Sequence, residues 1–221
     1  MHTSSLKKVK DPGSALTHFI GMVVAALAAT PLLIKASHGD NSSYLGAFVV
    51  FIVSMICLYG ASTIYHTFDI SEKVNTLLRK IDHSMIFVMI AGSYTPICLI
   101  VLPKRIGLPL LATVWAITII GSIFKICWIN CPHWLSSAMY IGMGWLVVFA
   151  FSPIMKELST SAFMWLLVGG IIYTVGGIIY ALKLPLLKKF HWKNFGNHEL
   201  FHCFVMLGSI CHFVLVYHYL A

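Results

Sequence analysis

An all-α integral membrane protein, built as a seven-transmembrane helix bundle, is the fold class this sequence predicts. Three observations predict it. Of 221 residues, 59% are hydrophobic and only 10% are charged, against about 25% charged in an ordinary soluble domain. The mean hydropathy is +0.87, so the chain has too little polar surface to cover itself in water. The apolar residues also fall into seven runs, each about 20 residues long, the length a bilayer core requires.

Residues 1–13 form a polar N-terminal segment with Lys7, Lys8 and Lys10, followed by Asp11-Pro12-Gly13. Ser14 is a candidate helix cap. The apolar run 15–34 contains Ala26-Leu27-Ala28, so basic residues, an apolar stretch and A-x-A together imitate a secretory signal peptide. The run continues past that triplet to a membrane-spanning length, which predicts an uncleaved first span. Six further spans are predicted near 45–66, 80–101, 108–127, 134–154, 162–182 and 198–219. Residues 14–221 are therefore read as a single seven-span domain.

Seven crossings put the two ends of the chain on opposite sides. One side would carry eleven basic residues: Lys7, Lys8, Lys10, Lys73, Arg79, Lys80, Lys125, Lys183, Lys188, Lys189 and Lys193. The other would carry four, namely Lys35, Lys104, Arg105 and Lys156. By the positive-inside rule the N-terminus is cytoplasmic, the C-terminus external, and the protein a multi-pass protein of the cell membrane. The net charge of +8 is thus a topology signal, and no nucleic-acid partner is expected. The six cysteines lie mostly within apolar runs and are read as packing residues, not a disulfide framework.

With that topology, ionisable residues of three spans arrive at one depth. Span two ends at His66, span three starts at Asp82, and span seven opens with His198-Glu199-Leu200-Phe201-His202. His198 and His202, at i and i+4, share a helix face about 6 Å apart along the axis, a spacing at which two imidazoles can hold one zinc ion. Ionisable groups at membrane depth are expensive and are usually functional. His66, His198 and His202 would make a three-histidine Zn2+ site with its fourth position open for water, whose pKa zinc lowers to about 7. Asp82 would then accept a proton from the water as general base, and Ser62, one turn deeper than His66, would hydrogen-bond the water or a substrate carbonyl. His83, next to Asp82, is expected to face away from it. His18, His133, His212 and His218 are left outside the site.

Ser62-x-x-x-His66, Asp82 and His198-x-x-x-His202 resemble the hemolysin III family, which is grouped with the progestin and adiponectin receptors and the alkaline ceramidases. Ala15-Leu16-Thr17-His18, Ala91-Gly92-Ser93-Tyr94-Thr95-Pro96 and Gly208-Ser209-Ile210-Cys211-His212-Phe213 extend the resemblance over nearly the whole chain. It implies seven helices around a zinc site near the cytoplasmic face, with His66, His198 and His202 as ligands and Asp82 and Ser62 beside them. It also implies lipid amide hydrolysis in some relatives. The soluble N-terminal domain expected of the receptor branch is not found before Ser14, which weighs against a hormone receptor.

The expected function is a zinc-dependent hydrolase of a lipid amide or ester, with membrane lipids as partners. The alternatives are a membrane-damaging or pore-forming protein and a receptor or sensor using the site structurally. His198 to His202 also spells the H-E-x-x-H of metalloproteases, in which Glu199 would be the base. That reading would take Asp82 as third ligand, and it explains neither Ser62 nor His66. Glu199 is read instead as a first-turn residue favoured by the helix dipole.

Overall fold

The computed structural model describes residues 9–182 and 195–221, and among these there is no strand. Among the described residues, seven helices are long and apolar enough to cross a membrane. They are α1 (Pro12–His38), α2 (Ser42–Thr67), α3 (Glu72–Val101), α4 (Lys104–Cys127), α5 (His133–Glu157), α6 (Thr160–Leu182) and α7 (Asn197–Leu220). The protein is a multi-pass membrane protein with the architecture its composition predicts. Lys7, Lys8, Lys183, Lys188, Lys189 and Lys193, which contribute to the charge asymmetry, lie outside the described residues.

Helices adjacent in sequence pack side by side, and α7 closes the ring against both α6 and α1. At one end of the bundle the chain ahead of α1 docks on the end of α2, with the Asp11 N–H donating to the His66 carbonyl at 2.9 Å. At the other end Asn41 donates to the Leu220 carbonyl at 2.9 Å, which brings the C-terminus against the α1–α2 turn. Phe48, Phe51, Tyr59 and Phe87 are fully buried in the core. Large apolar side chains also face outward, Leu27 at 72% and Phe149 at 85% exposure. In water such a surface would drive association, whereas in lipid it matches the solvent. Inside, one polar group joins three helices: Ser209 of α7 accepts from Tyr59 of α2 at 2.7 Å and lies 2.9 Å from the hydroxyl of Tyr173 of α6.

Two helices differ from the sequence expectation. α3 begins at Glu72, well ahead of residue 80, because Ser71 caps it by accepting from the Val74 N–H at 3.3 Å and Glu72 favours the first turn. Asp82 therefore lies ten residues inside α3, not at its start. α5 is not one regular helix; a 3-10 segment over Trp145–Ala150 interrupts it. The cause is Tyr94 of α3, whose hydroxyl donates to the Gly144 carbonyl at 2.6 Å and accepts from the Val147 N–H at 2.8 Å. A side chain inserted into the backbone ladder is a recognised cause of a break.

All six cysteines are free. Cys98 and Cys211 pack as expected, but Cys131 also has a polar role, since it lies 3.2 Å from the Nζ of the fully buried Lys125. Lys125 donates as well to Ser136 Oγ at 3.0 Å. These two partners and the long aliphatic stem let this lysine sit buried at the end of α4.

Candidate metal centre

Two helices deliver the three histidines. His66 ends α2, while His198 and His202 occupy successive turns at the start of α7. One ligand nitrogen from each lies within 4.8 Å of the others, close enough to hold a metal ion. His66 Nε2 and His198 Nε2 face each other at 3.1 Å. Tetrahedral zinc with nitrogens at about 2.0–2.1 Å needs N–N separations of roughly 3.4 Å, near that of the His66–His198 pair, and the wider separations in the cluster would have to shorten to match. His66 and His202 are buried at 4% and 2% exposure, which places the ligand atoms away from bulk water.

Hydrogen bonds select which nitrogen faces the centre. His66 Nδ1 donates to Asp11 Oδ2 at 3.0 Å, which leaves the lone pair on Nε2. The Thr17 hydroxyl gives its one hydrogen to the Ser14 carbonyl at 2.9 Å. It can therefore only accept from His202 Nδ1, 3.0 Å away, and the lone pair of His202 is again on Nε2. Metal-bound histidines characteristically donate their other N–H in this way, and the donor set fits a metal. Asp11 and Thr17 act on the cluster through His66 and His202, and sequence reading passed over both.

His18, expected outside the site, stacks its ring on His202 at 3.6 Å between centroids with 9° between planes. Neither of its ring nitrogens has a partner although the residue is buried. Ser14 and His18, at i and i+4, share the side of α1 that faces α7, a spacing that by itself names no partner.

Ser62 Oγ is buried and unpartnered. It lines, with Asp82, His18, His198 and His202, one end of an internal cavity of about 170 Å3. Asp82 is buried at 7% exposure. His83 does not turn away from it, as its Nδ1 lies 3.3 Å from Asp82 Oδ2. Neighbouring residues leave a helix about 100° apart, but Nδ1 sits close to the backbone and reaches back; it also donates to the Arg79 carbonyl at 2.9 Å. From this polar end the cavity runs along α3 and α7, past Leu58, Ile86 and Val205, as far as Tyr94 and His212. The distance from His198 to His212 along α7 is about 21 Å at helical rise. His212 is thus far from the histidine cluster, as its position in sequence implies.

Glu199 has a structural post. Its carboxylate accepts from the Gly196 N–H at 2.7 Å, and Ser14 donates to its other oxygen. It ties the first turn of α7 to α1, while the third imidazole of the cluster comes from His66.

The family model described as "Haemolysin-III related" matches residues 6–213. The chain belongs to the haemolysin-III-related family. Within that family it is 39% identical over 211 residues to "Hemolysin-3" of Bacillus cereus, covering 95% of this chain and 91% of that protein. It is 38% identical over 211 residues to the "Hemolysin-3 homolog" of Bacillus subtilis (strain 168), covering 95% and 94%. More distantly, it is 24% identical over 222 residues to the "Adiponectin receptor protein" of Drosophila melanogaster, with 92% of this chain and 49% of that protein aligned.

Proposed function

We propose that this haemolysin-III-related protein is a zinc-dependent hydrolase of a lipid amide or ester, with its site facing the cytoplasmic leaflet. One observation carries the reading: the three-imidazole cluster reaches, through His198 and His202, the polar end of a long apolar cavity that buried Asp82 and the unpartnered Ser62 hydroxyl also line. Three protein nitrogens with a position left open are the donor set of a catalytic zinc, and bound zinc supplies a water of lowered pKa and polarises a carbonyl.

The chain's own residues supply the rest. His66, held by Asp11, and His202, held by Thr17, present fixed lone pairs together with His198. Asp82 takes the proton of the attacking water and returns it to the leaving amine or alcohol. Ser62 donates its free hydrogen to the carbonyl oxygen as negative charge develops there. The wall from Leu58 to Tyr94 receives the acyl chain and keeps water away from the reacting carbonyl. The placement of Glu199 in the α7 cap supports this reading over an H-E-x-x-H protease.

The test is turnover of acyl-amide and acyl-ester lipids by purified protein whose metal content is measured in parallel. Asp82→Asn should retain zinc and lower kcat by about 10²–10⁴-fold, the usual worth of a general base. The names of the two Bacillus relatives favour a second reading, membrane damage. Dye release from liposomes that persists in His198→Ala would support that reading and would count against a role for the metal in it.

A further inference from the structure

At its histidine end the cavity adjoins a second pocket of about 320 Å3, and the two share His83, Tyr180 and His198. The rest of the second pocket is walled by Tyr65, Arg79, His133 and Asn197. Every one of these seven side chains can present an N–H or O–H, and no carboxylate is among them. Lys10 adds a further cation at the rim, its Nζ 3.7 Å over the Tyr65 ring.

Arg79 is the centre of this wall. It donates one hydrogen bond, from Nη1 to Asn130 Oδ1 at 3.0 Å. Among the described residues the ion pairs belong to His66 and His83, and none involves a guanidinium. A guanidinium has five N–H donors in a fork that fits two oxygens of a phosphate or carboxylate. Its position relative to the metal centre is also fixed. Arg79, Asp82, His83, Ile86 and Ile90 recur at helical spacing and line one continuous face of α3, from the second pocket into the apolar cavity. Arg79 therefore lies one turn outward from Asp82, and the negative Asp82 keeps an anion from moving deeper.

We propose that this vestibule binds an anionic oxygen group, phosphate or carboxylate, on the head of a lipid whose chain fills the apolar cavity. The inference rests on the reading of that cavity as a lipid site, and it does not need hydrolysis to occur. A lipid so placed spans both pockets, with its anion at Arg79 and the bond next to its head group at the histidines.

The experiment is equilibrium binding of labelled hexadecyl phosphate to the purified full-length protein in uncharged detergent. Palmitate, 1-hexadecylglycerol and inorganic phosphate serve as competitors. Palmitate should compete well, and neutral 1-hexadecylglycerol about tenfold or more less well, the cost of a lost charge-assisted hydrogen bond. Arg79→Gln should weaken hexadecyl phosphate by about the same factor and leave 1-hexadecylglycerol unchanged, while Arg79→Lys recovers part of the loss. Equal competition by the neutral lipid, or indifference to Arg79→Gln, would overturn the proposal. Displacement by inorganic phosphate alone would assign the pocket to a soluble anion and overturn the lipid part. The two readings fail separately: if hydrolysis is never found but the unaltered chain binds hexadecyl phosphate and Arg79→Gln weakens that binding, the vestibule stands and the hydrolase falls. Turnover that is found while hexadecyl phosphate binding ignores Arg79→Gln gives the reverse.

Discussion

Asp11 and Thr17 do small jobs with a large lever, because each decides which nitrogen of a histidine faces the cluster. Asp11→Asn can still accept from His66 Nδ1, but it removes the charge that makes the imidazole a strong donor. Partners of this kind are worth about 10–100-fold in metal affinity, so Asp11→Asn should weaken zinc by an amount in that range in a competition against a chelator. His66→Ala, by contrast, removes a ligand and should leave purified protein with no stoichiometric zinc. Glu199→Gln keeps the Gly196 hydrogen bond and touches no ligand atom, so metal content and turnover should both stay within about threefold of the unaltered protein, less than the loss of one charge-assisted bond. Loss of all turnover with zinc retained would instead restore the protease reading. His66, His198 and His202 were legible in the sequence because i and i+4 spacing and the direction of each span bring them to one depth. Asp11, Thr17 and His18 were not, because their partners sit on other helices and only the docking of α1 against α2 and α7 pairs them.

Among the elements, α5 shows best how a helix can be misread while its span is read correctly. Its apolar length is plain in the sequence, but the residue that interrupts it is Tyr94, some fifty positions earlier and on α3. Tyr94→Phe would leave the Val147 N–H and the Gly144 carbonyl to find other partners inside the bundle. An unsatisfied buried group costs about 1–3 kcal/mol. The variant should therefore unfold earlier in a detergent-based denaturation series by that order, unless α5 closes into a regular helix. That alternative is visible as altered labelling of a cysteine placed at Val148, which is exposed on the interrupted segment. α3 was misjudged in the other direction: its first two turns are polar, so a search for apolar runs starts too late, although Ser71 and Glu72 announce the true start. The consequence reaches the site. Because α3 starts early, Asp82 and Arg79 sit within a formed helix, where their spacing is rigid.

For the molecule as a whole, the number of spans was legible from composition and run length alone, since the bilayer fixes the length of a crossing. Their order around the ring was not, because pairing of helices depends on shape, as where Gly121 lets the Phe87 ring approach so closely that a Cβ there would lie 2.5 Å from it. Which way up the bundle sits follows from charge. Lys10 and Asp11, ahead of α1, and the histidine cluster occupy one end, and the C-terminus meets the α1–α2 turn at the other. The excess of lysine and arginine at the histidine end predicts that this end is cytoplasmic. A phosphatase that is active only outside the cytoplasm, fused after Ala221, should then be active, and the same enzyme inserted in the α2–α3 turn at Asp69 should be silent. The opposite pattern would invert the bundle. It would leave the three imidazoles, Asp82 and the cavity unchanged, but it would put Arg79 and its vestibule against the outer leaflet, so the lipids offered to the site would come from there. The fusion experiment therefore decides which leaflet supplies the substrate, independently of whether the metal centre turns it over.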